Sequence, residues 1–154
     1  MRDKFLEWTF YKTNGIYRKY RGKKAWGLST SDLLKFPQES IGHDLGSFLH
    51  QNGFEPLHQS ERHDVFHVLT GHNTSIPEEV DMQFHLLGNG KRSLYLWAVI
   101  AIGTLLYPDR WLTFRKCFKR GKKAQSFFQL DYQTLLSKNT KSHRDEFNIQ
   151  FLYR

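Results

Sequence analysis

The sequence predicts an all-α protein, a compact single-domain bundle of about six helices over residues 1–154. The chain has 154 residues, of which 39% are hydrophobic, and this supplies material for one core rather than two. Apolar residues recur at helical spacing between proline, serine and glycine residues that are typical of helix ends. Convincing signals of two-residue hairpins are absent.

Two helices are predicted in the first half of the chain. Pro37 opens one of them near its first turn and Gly53 closes it. Ser60 is expected to cap the second, and Gly71 is expected to end it. Four apolar residues of the first helix fall on one face: Ile41, Leu45, Phe48 and Leu49.

Two more helices follow. Ser75 and Glu78 fit a capping box for a helix from about Ile76 to Leu87. The uncharged run 94–106 predicts a helix that is buried on most sides. It is shorter than the roughly 20 apolar residues that span a bilayer.

The remaining elements begin with a basic helix that Pro108 starts and Gly121 ends. A short loop from Ser126, a helix near 131–137 and a last segment reaching Arg154 complete the prediction.

Charge is distributed unevenly. Residues 1–35 carry nine Lys and Arg against three Asp and Glu, and residues 109–123 carry seven against one. Residues 36–108 carry three against eight. Two basic segments therefore flank an acidic middle, which predicts contact with an anionic membrane surface, or simply solvated faces. No helix has the basic and amide pattern of a nucleic-acid reader, so nucleic acid is not expected as a partner.

The single cysteine, Cys117, excludes an internal disulfide framework and a cysteine-based zinc finger. This cysteine content leaves the redox compartment unconstrained and slightly favours a reducing cytosol. The N-terminal residues lack the apolar stretch of a signal peptide.

The strongest chemical signal is the histidine pair His63 and His67. Residues four apart on a helix project from the same side, so both imidazoles can bind one metal ion. Asp64 lies about 100° further round and can reach the same ion or orient a ligand. Glu78 and Glu79 open the next helix, and Glu79 is the freer candidate because Glu78 fits the capping box.

His63-Asp64-x-x-His67, followed by eleven residues and then Glu79, resembles the H-D-x-x-H-x(11)-E signature of the coenzyme Q biosynthesis protein four family. The resemblance covers about residues 30–150. The sequence departs from typical members in being shorter and in having no recognisable transit peptide, which favours a short bacterial member. Softer matches lie at 36–42, 67–71, 120–124, 131–132 and 144–146.

The resemblance implies a helical ubiquinone biosynthesis protein whose Zn²⁺, or another divalent metal, is held by His63, Asp64, His67 and Glu79. It implies a lyase reaction, the C1 oxidative decarboxylation of a polyprenylated 4-hydroxybenzoate precursor. It also implies a peripheral position on the cytoplasmic face of a bacterial inner membrane, or on the matrix face of the mitochondrial one. Other quinone-biosynthesis enzymes and a second copy of the chain are candidate partners.

The apolar run 94–106 suits the wall of a site for a prenylated quinone precursor or another isoprenoid lipid. An ordinary buried core helix is the simpler interpretation of the same run. The predicted lipid-binding residues are Leu94, Trp97, Ala98, Ala101 and Leu105.

Two other functions stay open. One is a non-catalytic, prenyl-lipid-binding scaffold of the coenzyme Q biosynthetic complex with a structural metal. The other is an HD-domain-type metal phosphohydrolase, since His63-Asp64 is also the doublet of that class. Its further ligands would be His43 or His50 with Asp109 or Asp131.

Overall fold

Helices make up the regular structure of the computed structural model, which describes residues 26–57 and 60–152. These residues contain no β-strand, only an isolated bridge between Ser40 and Asn139. The all-α prediction is therefore confirmed. The α-helices of the described residues are α1 (Thr30–Leu33), α2 (Ile41–Asn52), α3 (Glu61–Thr70), α4 (Ile76–Gly88), α5 (Leu94–Leu106), α6 (Trp111–Lys123) and α7 (Thr140–Phe147), and two 3-10 helices span Pro108–Arg110 and Tyr132–Leu135.

The described helices belong to two units. The flanking unit comprises residues 26–71 and 129–152, and the middle unit comprises residues 72–128. The single domain over residues 1–154 stays a prediction. Most of the basic N-terminal segment, residues 1–25, lies outside the described residues.

In the flanking unit, the start of α2 is tied to the chain that precedes α7. The Ile41 amide donates to the carbonyl of Lys138 at 2.9 Å, and the Gly42 amide donates to that of Leu136 at 2.8 Å. These bonds satisfy donors that a helix leaves unpaired at its N-terminus. The buried apolar residues of this unit are Leu33, Ile41, Leu45, Leu49, Val65, Phe66, Val68, Leu69, Tyr132, Leu136 and Ile149.

Helix α3 has the predicted bounds. Ser60 occupies the N-cap position, but its side chain makes no capping hydrogen bond. Gly71 ends the helix in the left-handed region with φ 78°, a conformation that costs glycine little.

The capping box predicted for α4 is wrong. The Ser75 side chain makes no capping hydrogen bond. The Glu78 carboxylate instead accepts a hydrogen bond from the backbone N–H of Asn73 at 2.5 Å. Because the loop turns back towards the helix, a loop amide binds the Glu78 carboxylate in place of the Ser75 backbone N–H that a capping box would use.

In the middle unit, α4 packs against both α5 and α6. The rings of Phe84 and Phe114 stack with their centroids 4.6 Å apart. An ion pair joins the buried Asp81 of α4 to the partly exposed Arg110, which precedes α6. The core cluster consists of Val80, Phe84, Val99, Tyr107, Phe114 and Cys117.

The predicted end of the basic helix at Gly121 is also wrong, since α6 continues to Lys123. Gly121 is buried where α6 touches the backbone of α4. A Cβ at Gly121 would lie 1.9 Å from the carbonyl oxygen of His85. Gly88 of α4 meets α6 in the same way, 2.1 Å from the carbonyl oxygen of Phe118. Both glycines therefore serve close helix packing.

Helix α5 is present as predicted, but it is not buried on most sides. Only Leu96, Val99 and Gly103 are buried. These three residues form one face of the helix and pack within the middle unit. Among the described residues, no helix combines the length and apolarity needed to cross a membrane.

We predict that Gly121→Ala destabilises the protein by roughly 3 kcal/mol, because the added methyl group meets backbone atoms that cannot rotate away. Urea unfolding followed by circular dichroism measures the change. The control is Lys122→Ala, which alters an exposed neighbour on the same helix. An unchanged unfolding midpoint for Gly121→Ala would contradict this packing.

Candidate metal centre

The imidazole rings of His63 and His67 approach each other within the flanking unit. Their Nε2 atoms lie 3.2 Å apart, and the ring planes meet edge to face at 77°. Both residues belong to α3, whose 3.6-residue turn brings side chains four apart onto one side. The structure therefore brings these two predicted ligands together.

His67 is the more enclosed of the pair, with 5% of its surface exposed, while His63 is half-buried. The ring of Phe48, on α2, stacks on the His67 imidazole with centroids 5.3 Å apart and planes inclined by 16°. This contact limits rotation of the imidazole. Sequence analysis placed Phe48 on an apolar face without a link to the histidines, because the two residues lie on different helices.

The distance between the two nitrogens fits one ion. Two imidazole nitrogens bound to a tetrahedral zinc ion at about 2.05 Å would lie about 3.3 Å apart. The same 3.2 Å also fits a hydrogen bond in which one ring donates to the other. Both arrangements require a bare nitrogen on at least one ring. The donor chemistry therefore suits a borderline metal such as Zn²⁺.

Asp64 follows His63 on the same helix but is only partly buried. Its carboxylate does not join the two imidazoles within 4.8 Å. Its predicted part in the site stays a prediction, either as a ligand that needs a side-chain rotation or as a group that orients a ligand.

Glu79 lies in the first turn of α4, in the middle unit, and is 9% exposed. Its Oε1 accepts a hydrogen bond of 2.8 Å from the Gln83 side-chain amide. A buried carboxylate costs free energy unless it is paired or bound to a metal. The assignment of Glu79 as a ligand stays a prediction.

Gln83 was missed by sequence analysis. It is fully buried, and its Oε1 has no hydrogen-bond partner among the described residues. The signal was present, since residues four apart on a helix are neighbours and Gln83 follows Glu79 by four. Side chains that hold a ligand in this way are characteristic of metal sites.

Of the other histidines, His43 is partly exposed and His50 is exposed, whereas His58 lies outside the described residues. His85 and His143 are fully buried, and neither ring has a hydrogen-bond partner in the described chain. Burial lowers the pKa of His85 to about 4, with a further contribution from Arg120.

Burial also raises the pKa of the Cys117 thiol to about 12. This thiol lies 3.7 Å from Nε2 of His72. Cys117 is therefore an interior thiol rather than a reactive one.

Within the described residues, the ligands considered for a phosphohydrolase do not join any cluster of metal-binding side chains. The residues concerned are His43, His50, Asp109 and Asp131.

The five predicted lipid-binding residues of α5 are all exposed. They follow one another at helical spacing and form one face, opposite the three buried residues of that helix. Leu94 is 87% exposed, Leu105 80% and Trp97 49%. They are therefore not part of the protein interior and form an exposed apolar face. This face comprises Leu94, Trp97, Ala98, Ala101 and Leu105.

The fold is similar to that of solved structures. A crystal structure of a protein from Nostoc punctiforme PCC 73102, described as a "putative ubiquinone biosynthesis protein", superposes with a TM-score of 0.67. The match covers 80% of this chain and 69% of that one, at 14% identity. The two chains share a fold. No family model and no curated protein sequence matches the chain.

Proposed function

We propose that this protein acts in ubiquinone biosynthesis, as the name of its structural neighbour from Nostoc punctiforme suggests. The observation that carries the proposal is the pair of converging imidazoles of His63 and His67 within that fold. The sequence signature that includes both histidines resembles the coenzyme Q biosynthesis protein four family. Fold, signature and side-chain geometry thus support one function.

We further propose that His63, Asp64, His67 and Glu79 hold one Zn²⁺ ion. Two nitrogen donors are already in register, and only residues 71–75 separate the helix of His67 from that of Glu79. Two neutral imidazoles and two carboxylates would balance the charge of a divalent cation. When bound, the ion supplies Lewis acidity to an anionic substrate head but no redox chemistry.

The chain's own residues have separate parts in this proposal. Phe48 limits the orientation of the His67 ring, and Gln83 holds one oxygen of Glu79. Both contacts fix donor atoms before a substrate arrives, which is the condition for precise positioning. The substrate is a polyprenylated 4-hydroxybenzoate, whose carboxylate leaves C1 as carbon dioxide. The accompanying oxidation requires oxygen or another external oxidant.

The metal assignment predicts one zinc ion per chain. We expect His67→Ala to lower zinc affinity at least about a hundredfold, since a lost ligand should cost more than a lost supporting residue. Elemental analysis of purified protein and chelator competition measure this. The matched control is His50→Ala, which removes an exposed histidine of the same unit. Stoichiometric zinc in His67→Ala would falsify the ligand assignment.

The catalytic assignment predicts different outcomes for two adjacent carboxylates. Wild type and Glu78→Ala should restore ubiquinone to a strain that lacks the family member, because the Glu78 carboxylate accepts a hydrogen bond from a loop amide and is not among the proposed ligands. Glu79→Ala should fail and accumulate the C1-carboxylated precursor. Profiling of quinone intermediates distinguishes these outcomes.

The same assay discriminates the remaining interpretations. Equal rescue by wild type and Glu79→Ala would favour a scaffold that binds prenyl lipids and uses its metal structurally, if at all. Failure of every variant, wild type included, would contradict this substrate and favour another isoprenoid.

We propose that the exposed apolar face of α5 contacts lipid chains at an anionic membrane. An isoprenoid tail would then enter the protein from the bilayer. The exposed cations of the same unit provide attraction to anionic headgroups, each contributing about 1 kcal/mol near the surface. They lie on α6: Arg115, Lys116, Lys119, Lys122 and Lys123.

This contact predicts that Trp97→Ser combined with Leu105→Ser weakens partition onto vesicles about a hundredfold. Burial of each side chain contributes about 1.5 kcal/mol. Flotation with phosphatidylcholine vesicles, with and without phosphatidylglycerol, measures the effect at low and high salt. The matched control is Phe54→Ser with Leu57→Ser, an exposed apolar pair of the flanking unit. Equal flotation of both double variants would count against the proposal.

A further inference from the structure

The C-terminal end of α3 is capped by residues about 75 positions further along the chain. The carbonyl groups of Val68, Leu69 and Thr70 lie in the last turn, where a helix offers them no amide partner. Arg144 donates to Val68 at 2.8 Å through a terminal nitrogen and to Leu69 at 3.2 Å through Nε. The backbone N–H of Leu152 donates to Thr70 at 3.1 Å. Each of these three carbonyls is therefore paired.

The arginine is itself held by an aromatic ring. Its guanidinium carbon lies 4.1 Å from the centroid of the Phe151 ring. The same ring packs against Gly71, where a Cβ would lie only 2.7 Å from it. Gly71 thus permits both the left-handed turn that ends α3 and the approach of Phe151. Residues 144–152 therefore pack directly against the C-terminal end of α3.

The proposed ligand His67 lies in the last turn of α3, next to Val68. If this turn frayed, the backbone of His67 would rotate, and the distance between its Nε2 and the Nε2 of His63 would increase. Arg144 adds a positive charge at the negative end of the helix dipole, which opposes fraying. The geometry therefore links the spacing of the two imidazoles to a residue that touches neither.

We propose that Arg144, supported by Phe151, is a positioning residue that sets the metal affinity of the His63–His67 pair. The inference rests on the proposed function in that it needs a metal at this pair. Lysine should not replace arginine here. Only a planar guanidinium offers two donors in a fixed fork and a flat face that stacks on a ring.

The test uses the full chain and Co²⁺, whose visible absorption reports the geometry of its ligands, and then Zn²⁺ affinity by chelator competition. We expect Arg144→Lys and Arg144→Met to weaken Zn²⁺ binding by about ten- to a hundredfold and to change the Co²⁺ spectrum. Phe151→Leu keeps the hydrogen bonds and should give a smaller loss. It also serves if the arginine variants do not fold.

The matched control is Arg92→Met. Arg92 donates to the carbonyl of Leu87 at the end of α4, but it is exposed and belongs to the middle unit. A folded Arg144→Met or Phe151→Leu protein with the wild-type affinity and spectrum would overturn this inference alone. A wild-type chain that binds neither ion would overturn the metal assignment, and this inference with it.

Discussion

The close approach of the His63 and His67 rings is the constraint on which the candidate site depends. At 3.2 Å, the two nitrogens cannot both direct a proton along the line between them. A hydrogen bond between the rings satisfies this condition, and so does the proposed ion. Keeping this distance requires a regular helical turn, an enclosed ring and a helix end that does not fray. The flanking unit supplies these through the stacking of Phe48 and the capping by Arg144.

A second feature of the structure is that helix α4 buries several polar side chains. Glu79, Asp81, Gln83 and His85 are all buried, although a helix of this length needs no polar residue in a core. Asp81 forms an ion pair with Arg110, and Glu79 accepts a hydrogen bond from Gln83. Buried polar groups lower stability unless they are satisfied, and they concentrate at functional sites. The glycine contacts between α4 and α6 keep this helix close to its neighbour despite that cost.

Helix α5 shows that an apolar composition does not by itself lead to burial. Its thirteen residues are uncharged, yet only one of its faces packs against the rest of the middle unit. Burial needs a partner surface, and an apolar sequence does not supply one. A large apolar face that remains exposed on a protein is typical of an interaction surface. The strongly basic helix α6 belongs to the same unit as this face, which fits the proposal of an anionic bilayer as the partner.

The sequence by itself determined the helical class, the bounds of α3 and α5 and the pairing of two histidines. These depend on local periodicity, helix-end residues and the i, i+4 rule, which act over a few residues. Tertiary structure decided the rest. Gly121 lies inside α6 and not at its end, and glycine is required there because a facing carbonyl leaves no room for a side chain. The Glu78 carboxylate accepts from a loop amide because the loop before α4 turns back towards the helix. Arg144 reaches α3 from 75 residues away, and no local pattern encodes such a contact, because it depends on how distant segments pack together.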